Sequence, residues 1–383
     1  MMIEQAVLNR YSNAASQREA SLCCPVTYDS KYLEIIPREV LDRDYGCGDP
    51  SQYVCEGETV LDLGSGGGKI CFIASQVVGS SGRVIGVDMN DEMLALARKA
   101  NSEVSQRLRY ANVEFRKGKI QDLRIDRDML DEWLKKNPIK SESDLIAFES
   151  YVKQISETSP MIQDGSIDVV ISNCVLNLVN HKDKTMLFQE IYRVLKRGGR
   201  AAISDIVSDE PVPLELQQDT DLWSGCISGA LQEFEFLKAF EDAGFYGITI
   251  AKRDERPWRT VQGIEFRSIT VLAYKGKEGH CWDHKEAVIY KGPFRDVTDD
   301  DGHRYYRGVC VSVCRKTFNI LGREPYANHF EFIRPLKEVP VEETQPFPCT
   351  KEMFVRSPRE TKGDGYSITN EGNSVCCEPG SCC

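Results

Sequence analysis

Apolar positions along this chain fall into two alternating rhythms. Brief, nearly unbroken apolar runs at 59–63, 84–88, 113–115 and 167–173 read as buried strands, and the stretches between them carry helical spacing. The first such stretch, 69–78, follows a glycine-rich break. In the second, 92–100, Met93, Leu94 and Ala97 share one face. A third, 183–196, sets Met186, Leu187, Ile191, Val194 and Leu195 in one apolar stripe that Glu190 alone interrupts. Arg193, Lys196 and Arg197 complement its C-terminus, and Gly198-Gly199 end it before another run at 200–206. A helix end at 243–245 and a strand at 248–250 close the series. Strands alternating with helices predict an α/β fold, a Rossmann-like doubly wound and mostly parallel sheet.

Past Arg256-Pro257 the rhythm changes. Strand-like runs at 287–290 and 304–313 surround a turn-rich 298–302, which predicts a smaller C-terminal β-containing domain. The expected organisation is therefore an N-terminal segment 1–55, a main α/β domain 56–256, a small domain 257–356 and a flexible cysteine-containing tail 357–383. The charged, partly helix-patterned stretch 126–160 reads as an insertion beside the sheet.

Chemistry enters at the first break. The run 59–63 opens into Gly64-Ser-Gly-Gly-Gly68 and then a helix, a strand–turn–helix unit in which glycine lets the backbone approach a ligand at the strand's carboxyl end. A dinucleotide fingerprint counted from Gly64 and Gly66 needs a third glycine where Lys69 stands. With Asp62 ahead of the alternate glycines, the pattern fits S-adenosylmethionine enzymes better. Asp88 ends the second run roughly 20 residues on, where an acid can accept hydrogen bonds from ribose hydroxyls. Capping of the helix that follows, near Asn90 and Asp91, is the plainer role for that acid. The candidate cofactor residues are Asp62, Gly64, Ser65, Gly66, Asp88, Met89, Ile120 and Asn173. Asp168 and Asp205 read as strand-end residues.

A net charge of −11 repels phosphate backbones, so no nucleic-acid partner is expected. No apolar run approaches the roughly 18 residues that span a bilayer, and the first residues lack a signal-peptide pattern, so no membrane partner is expected and a cytoplasmic location is. In a reducing compartment the fifteen cysteines serve as ligands, catalysts or packing rather than as disulfides. Cys281, Cys310, Cys314 and Cys349 show no zinc-site spacing, and His280, His284 and His303 near them read as surface or core residues.

Four stretches, DYGCGDP at 44–50, LDLGSG at 61–66, ISNCVLNL at 171–178 and WSGCISGA at 223–230, together resemble the arsenite S-adenosylmethionine methyltransferases. The similarity runs from about Leu22 to Ile250 and continues more weakly to about Pro335. It implies methyl transfer from S-adenosylmethionine to trivalent arsenic held by cysteine thiolates, giving mono- and dimethylated arsenicals in arsenic detoxification. By the same resemblance Cys174 and Cys226 are arsenic ligands, Cys47 completes a three-thiolate site, and Cys71 joins a disulfide step that returns pentavalent product to the trivalent state. Glutathione or thioredoxin is then the thiol reductant, and a monomer is expected. Soft thiolates suit a soft acceptor, which gives the resemblance a chemical basis. Vicinal Cys23-Cys24, Cys376-Cys377 and Cys382-Cys383 are further capture candidates. Methylation of a quinone or sterol-like substrate explains the fold but not the thiols. A non-catalytic thiolate metal-binding protein leaves Asp62, Gly64, Gly66 and Asp88 without a role.

Overall fold

The structure, a computed structural model, describes residues 2–19, 22, 26–349, 354–357, 360–361 and 363. The three vicinal cysteine pairs and most of the expected tail lie outside the described residues. The chain divides into two compact units, Met1–Gly276 and Lys277–Cys383.

The first unit is built on eight strands: β1 (Thr59–Leu63), β2 (Arg83–Asp88), β3 (Val113–Lys117), β4 (Ile167–Asn173), β5 (Leu195–Ser208), β6 (Tyr246–Arg253), β7 (Arg259–Val261) and β8 (Ile264–Tyr274). Their order is β3-β2-β1-β4-β5-β8-β6, with β7 beside β8. The pairs among β1 to β5 are parallel, and those involving β8 are antiparallel. Alternation within each strand sends Leu61, Leu63, Ile85 and Val87 to one face of the sheet and Val60 and Val84 to the other. The helices Lys69–Val78 and Asp91–Leu108 cover the second face, and His181–Val194 and Glu233–Asp242 cover the first. Asn90 caps Asp91–Leu108 by accepting from the Met93 N–H at 2.9 Å, and Asp91 and Glu92 complement its positive end.

Two expectations change here. The division at 256 falls inside the sheet. β8 is almost wholly buried between β5 and β6, as its β-branched run IEFRSITVLAY suits, and the unit runs on to Gly276. The helix expected over 183–196 spans His181–Val194, and Leu195 already belongs to β5. Within that helix Met186 is 43% exposed whereas Glu190 is buried. Position 190 lies three residues after Leu187 and four before Val194, on the packed face. Its carboxylate is matched there by Arg193 Nε at 2.6 Å and the Leu123 N–H at 2.9 Å.

The stretch 126–160 forms the helices Arg127–Lys136 and Glu142–Thr158, with Trp133 stacked on Tyr151 at 5.1 Å. Among the described residues no helix is long and apolar enough to cross a membrane. The second unit holds a three-stranded sheet, Cys310–Ser312 beside Ala287–Tyr290 beside Phe330–Ile333, with the helix Arg315–Leu321. The run 304–313 is two strands rather than one, broken at Gly308, whose φ is +79°.

Candidate active site

Strand order reverses between β1, which leads outward to β2 and β3, and β4, which leads to β5. A crevice opens at the carboxyl ends of strands at such a point. The chain places a cleft there, lined by all eight candidate cofactor residues: Asp62, Gly64, Ser65, Gly66, Asp88, Met89, Ile120 and Asn173. Gly64 and Gly66 have φ of +72° and +51°, the left-handed region open to glycine. Gly66 N–H donates to one Asp88 oxygen at 2.8 Å and Asn90 N–H to the other at 2.9 Å, so Asp88 braces the glycine turn and the next helix together. Burial raises its carboxyl above the ordinary range. Ser65 Oγ is buried beside the cleft without a hydrogen-bond partner among the described residues, a group that a polar ligand there would satisfy.

The cysteines expected from three separate stretches meet in one cluster that reaches this cleft through Cys174. Cys47, Cys174 and Cys226 are all buried and share one apolar cluster. The Cys47 and Cys174 sulfurs lie within 4.8 Å of each other, and the neighbouring Cys226 and Cys47 thiols, with burial, raise the ionisation of Cys174 well above the usual thiol range. Cys226 Sγ donates to the Cys174 carbonyl at 3.1 Å. Cys174 itself lines the cleft. Burial also raises Cys47.

Backbone geometry aims these side chains. Cys174 and Cys226 have φ of +63° and +60°, a conformation that costs a non-glycine residue about 1–2 kcal/mol. Each is held in it. Cys174 N–H donates to Ser204 O at 2.8 Å, and Cys226 N–H to Trp223 O at 3.0 Å. Asn173, at the end of β4, fixes the Cys47 loop through its side chain, accepting from the Cys47 and Gly48 N–H groups at 2.9 and 3.0 Å and donating to Gly48 O at 2.8 Å. One residue thus lines the cleft and positions a thiol.

Cys71 is placed differently. It is fully buried in the cluster on the other side, and its thiol donates to Asp62 Oδ2 at 3.2 Å. Burial drives Asp62 up to about 7 against that hydrogen bond, and burial beside Asp62 raises Cys71 well above its usual value.

Two contributors were not foreseen. The helix Met2–Ser16 supplies Val7, Leu8 and Tyr11 to the cleft, and the Tyr11 hydroxyl lies 3.9 Å from Cys226 Sγ. Its signal was available, since Val7, Tyr11, Ala14 and Ala15 follow helical spacing. Asp205, read as a strand-end residue, has a carboxylate oxygen within 4.8 Å of the Cys47 and Cys174 sulfurs. Burial lifts it to about 6 although it accepts from Ile206, Leu176 and Asn177 N–H groups. Those bonds tie down the turn that follows Cys174.

A family profile described as "Methyltransferase domain" matches 55–149 and 128–244, and one described as a domain of unknown function matches 277–366. An arsenite methyltransferase of Aquipseudomonas alcaligenes is 32% identical over 350 residues, covering 86% of this chain and 91% of that one. The arsenite methyltransferase of Homo sapiens is 30% identical over 322 residues, covering 80% and 75%. Among solved structures, an arsenic(III) S-adenosylmethionine methyltransferase from Chlamydomonas reinhardtii aligns with a TM-score of 0.55 at 28% identity, over 81% of this chain and 96% of that one.

Proposed function

The chain belongs to the arsenite methyltransferases and uses S-adenosylmethionine to methylate trivalent arsenic, and we propose that Cys47, Cys174 and Cys226 hold the arsenic during the reaction. The observation that carries this reading is the convergence of three buried thiols in one cluster that reaches the cleft through Cys174. The direct experiment is arsenic X-ray absorption on the loaded protein, in which three sulfur neighbours per arsenic are expected, with arsenic bound per chain measured beside it; spectra and arsenic content unchanged in both Cys174→Ser and Cys226→Ser would refute the assignment.

Loading needs no base. Neutral arsenous acid exchanges three As–O bonds for three As–S bonds, and each departing hydroxide leaves as water with one thiol proton. Thiols kept protonated by burial are therefore competent partners. Arsenic retains its lone pair, which makes it the nucleophile. When bound, S-adenosylmethionine supplies an electrophilic methyl group on a sulfonium sulfur. The chain's part is placement. The Gly64–Gly66 turn, Ser65 Oγ and Asp88 hold the donor, Met89 and Ile120 supply apolar walls, and Asn173 fixes the Cys47 loop against it. Alignment of reacting atoms at roughly 3–3.5 Å is worth several kcal/mol.

Transfer of a methyl cation leaves arsenic pentavalent, and its return to the trivalent state takes two electrons. Cys71 gives up its bond to Asp62 and forms a disulfide with a second cysteine, supplying both electrons and releasing two protons. Glutathione or thioredoxin then reduces that disulfide, which suits the reducing cytoplasm, where cysteines persist as thiols. Methyl-bearing arsenic has one fewer site for sulfur. Cys47→Ser is therefore expected to slow methylation of inorganic arsenite more than that of monomethylated arsenic, read by chromatography of the arsenicals. Equal loss on both substrates would break this division of labour.

Asp62 gives the cleft a pH signature. S-adenosylmethionine is a cation, so it binds better when Asp62 is ionised, and that group titrates near 7. Its affinity is expected to rise with pH up to that value, by no more than about tenfold per unit, and to level off above it. Calorimetric titration should show this slope in the parent and a flattened one in Asp62→Asn. A parent profile already flat between pH 5.5 and 7 would remove Asp62 from the site.

A further inference from the structure

The C-terminal unit contains a second group of thiols that linear spacing did not disclose. Cys281 precedes the short strand Trp282–Asp283, Cys314 caps the helix Arg315–Leu321, and Cys349 follows the strand Gln345–Pro346. Pairing of Gln345 with Asp283 and of Pro346 with Trp282, with Phe347 N–H donating to Cys281 O at 2.7 Å, brings the first and last together. The three sulfurs lie within 4.8 Å of one another. Cys314 is buried, Cys281 half-buried and Cys349 exposed, so the group has a closed floor and an open side. A small pocket lined by Cys314, Cys349, His303 and Phe347 adjoins it.

We propose that Cys281, Cys314 and Cys349 form a second binding site for trivalent arsenic, separate from the cleft of the first unit. Three sulfurs on one centre, with metal–sulfur bonds of about 2.3 Å as guide, lie no more than about 4.6 Å apart, so the thiols need little movement to close on an ion. The donor count decides the kind of ion. Structural zinc takes four nitrogen or sulfur ligands, and among the described residues this group offers three. Trivalent arsenic is complete with three thiolates and keeps its lone pair. Binding exchanges three As–O bonds of arsenous acid for three As–S bonds and releases three waters, with no change of oxidation state. The exposed Cys349 makes the first bond, and the buried Cys314 closes the site.

The test uses the full-length chain with serine at 23, 24, 376, 377, 382 and 383, so that the vicinal pairs contribute nothing. The protein is equilibrated with arsenite, desalted, and its arsenic per chain measured by plasma mass spectrometry. Cys349→Ser in this background is expected to lose one equivalent, with an unchanged thermal midpoint and unchanged methylation at saturating arsenite. Cys281→Ser should lose the same equivalent, which guards against a local folding effect. The result is read as a difference from the parent, so it does not depend on which cysteines serve the cleft. Arsenic content equal to the parent's in both variants would overturn the site. One zinc per chain in the protein as purified, lost in Cys349→Ser, would overturn its assignment to arsenic.

Discussion

Cys174→Ser and Cys226→Ser are each expected to lower methylation of both inorganic and monomethylated trivalent arsenic to less than about a hundredth of the parent rate, because displacing a reacting centre by about 1 Å already costs about that much. Both residues sit where backbone strain is accepted in order to aim a side chain, and their sulfurs converge beside the donor cleft. Serine preserves size and hydrogen bonding. At 226 its hydroxyl can still donate to the Cys174 carbonyl, as the thiol does at 3.1 Å, so the loop is kept while the soft ligand is lost. Cys226 does not line the cleft, and its variant should therefore bind S-adenosylmethionine with the parent's affinity. Arsenite affinity by fluorescence titration, set beside product analysis, separates the possibilities. Undiminished arsenite binding in either variant would mean that other cysteines hold the substrate.

Gly64→Ala is expected to damage donor and acceptor sites together. A Cβ on Gly64 would lie 2.4 Å from Val175 Cγ1 and 2.6 Å from its Cγ2, and φ there is +72°. Val175 is the neighbour of Cys174, so relief of the clash pushes on the loop that carries the thiol. Gly66→Ala provides the control. Its Cβ meets nothing within 4 Å, and φ is +51°, which leaves only the conformational cost of about 1–2 kcal/mol. The expected outcome is a fall of at least about tenfold in both S-adenosylmethionine and arsenite affinity for Gly64→Ala, equivalent to about 1.4 kcal/mol or more each. For Gly66→Ala, arsenite affinity should stay at the parent level. If the two variants behave alike, the contact with Val175 does not couple the two halves of the site.

Local regularities were readable in the chain alone. Short buried runs, the glycine break after Leu63 and an acid closing the second strand depend on neighbours in sequence, and they foretold the alternation that builds the sheet and the cleft at its carboxyl edge. Family-specific stretches around Cys47, Cys174 and Cys226 singled out three of fifteen cysteines. Tertiary structure decided what is adjacent. Strand order carries β8 between β5 and β6, a placement that the pattern of β8 permits but does not specify. Glu190 is tolerated on a packed face only because Arg193 and the Leu123 N–H reach it. The helix Met2–Ser16 reaches the cleft, and the triad of Cys281, Cys314 and Cys349 forms, through contacts between residues far apart in sequence. The period of a segment reports which of its faces is apolar. Which distant atoms come to share a site depends on crossover connections and on single residues turned to positive φ, such as Cys174 and Cys226, and neither leaves a repeating mark in the sequence.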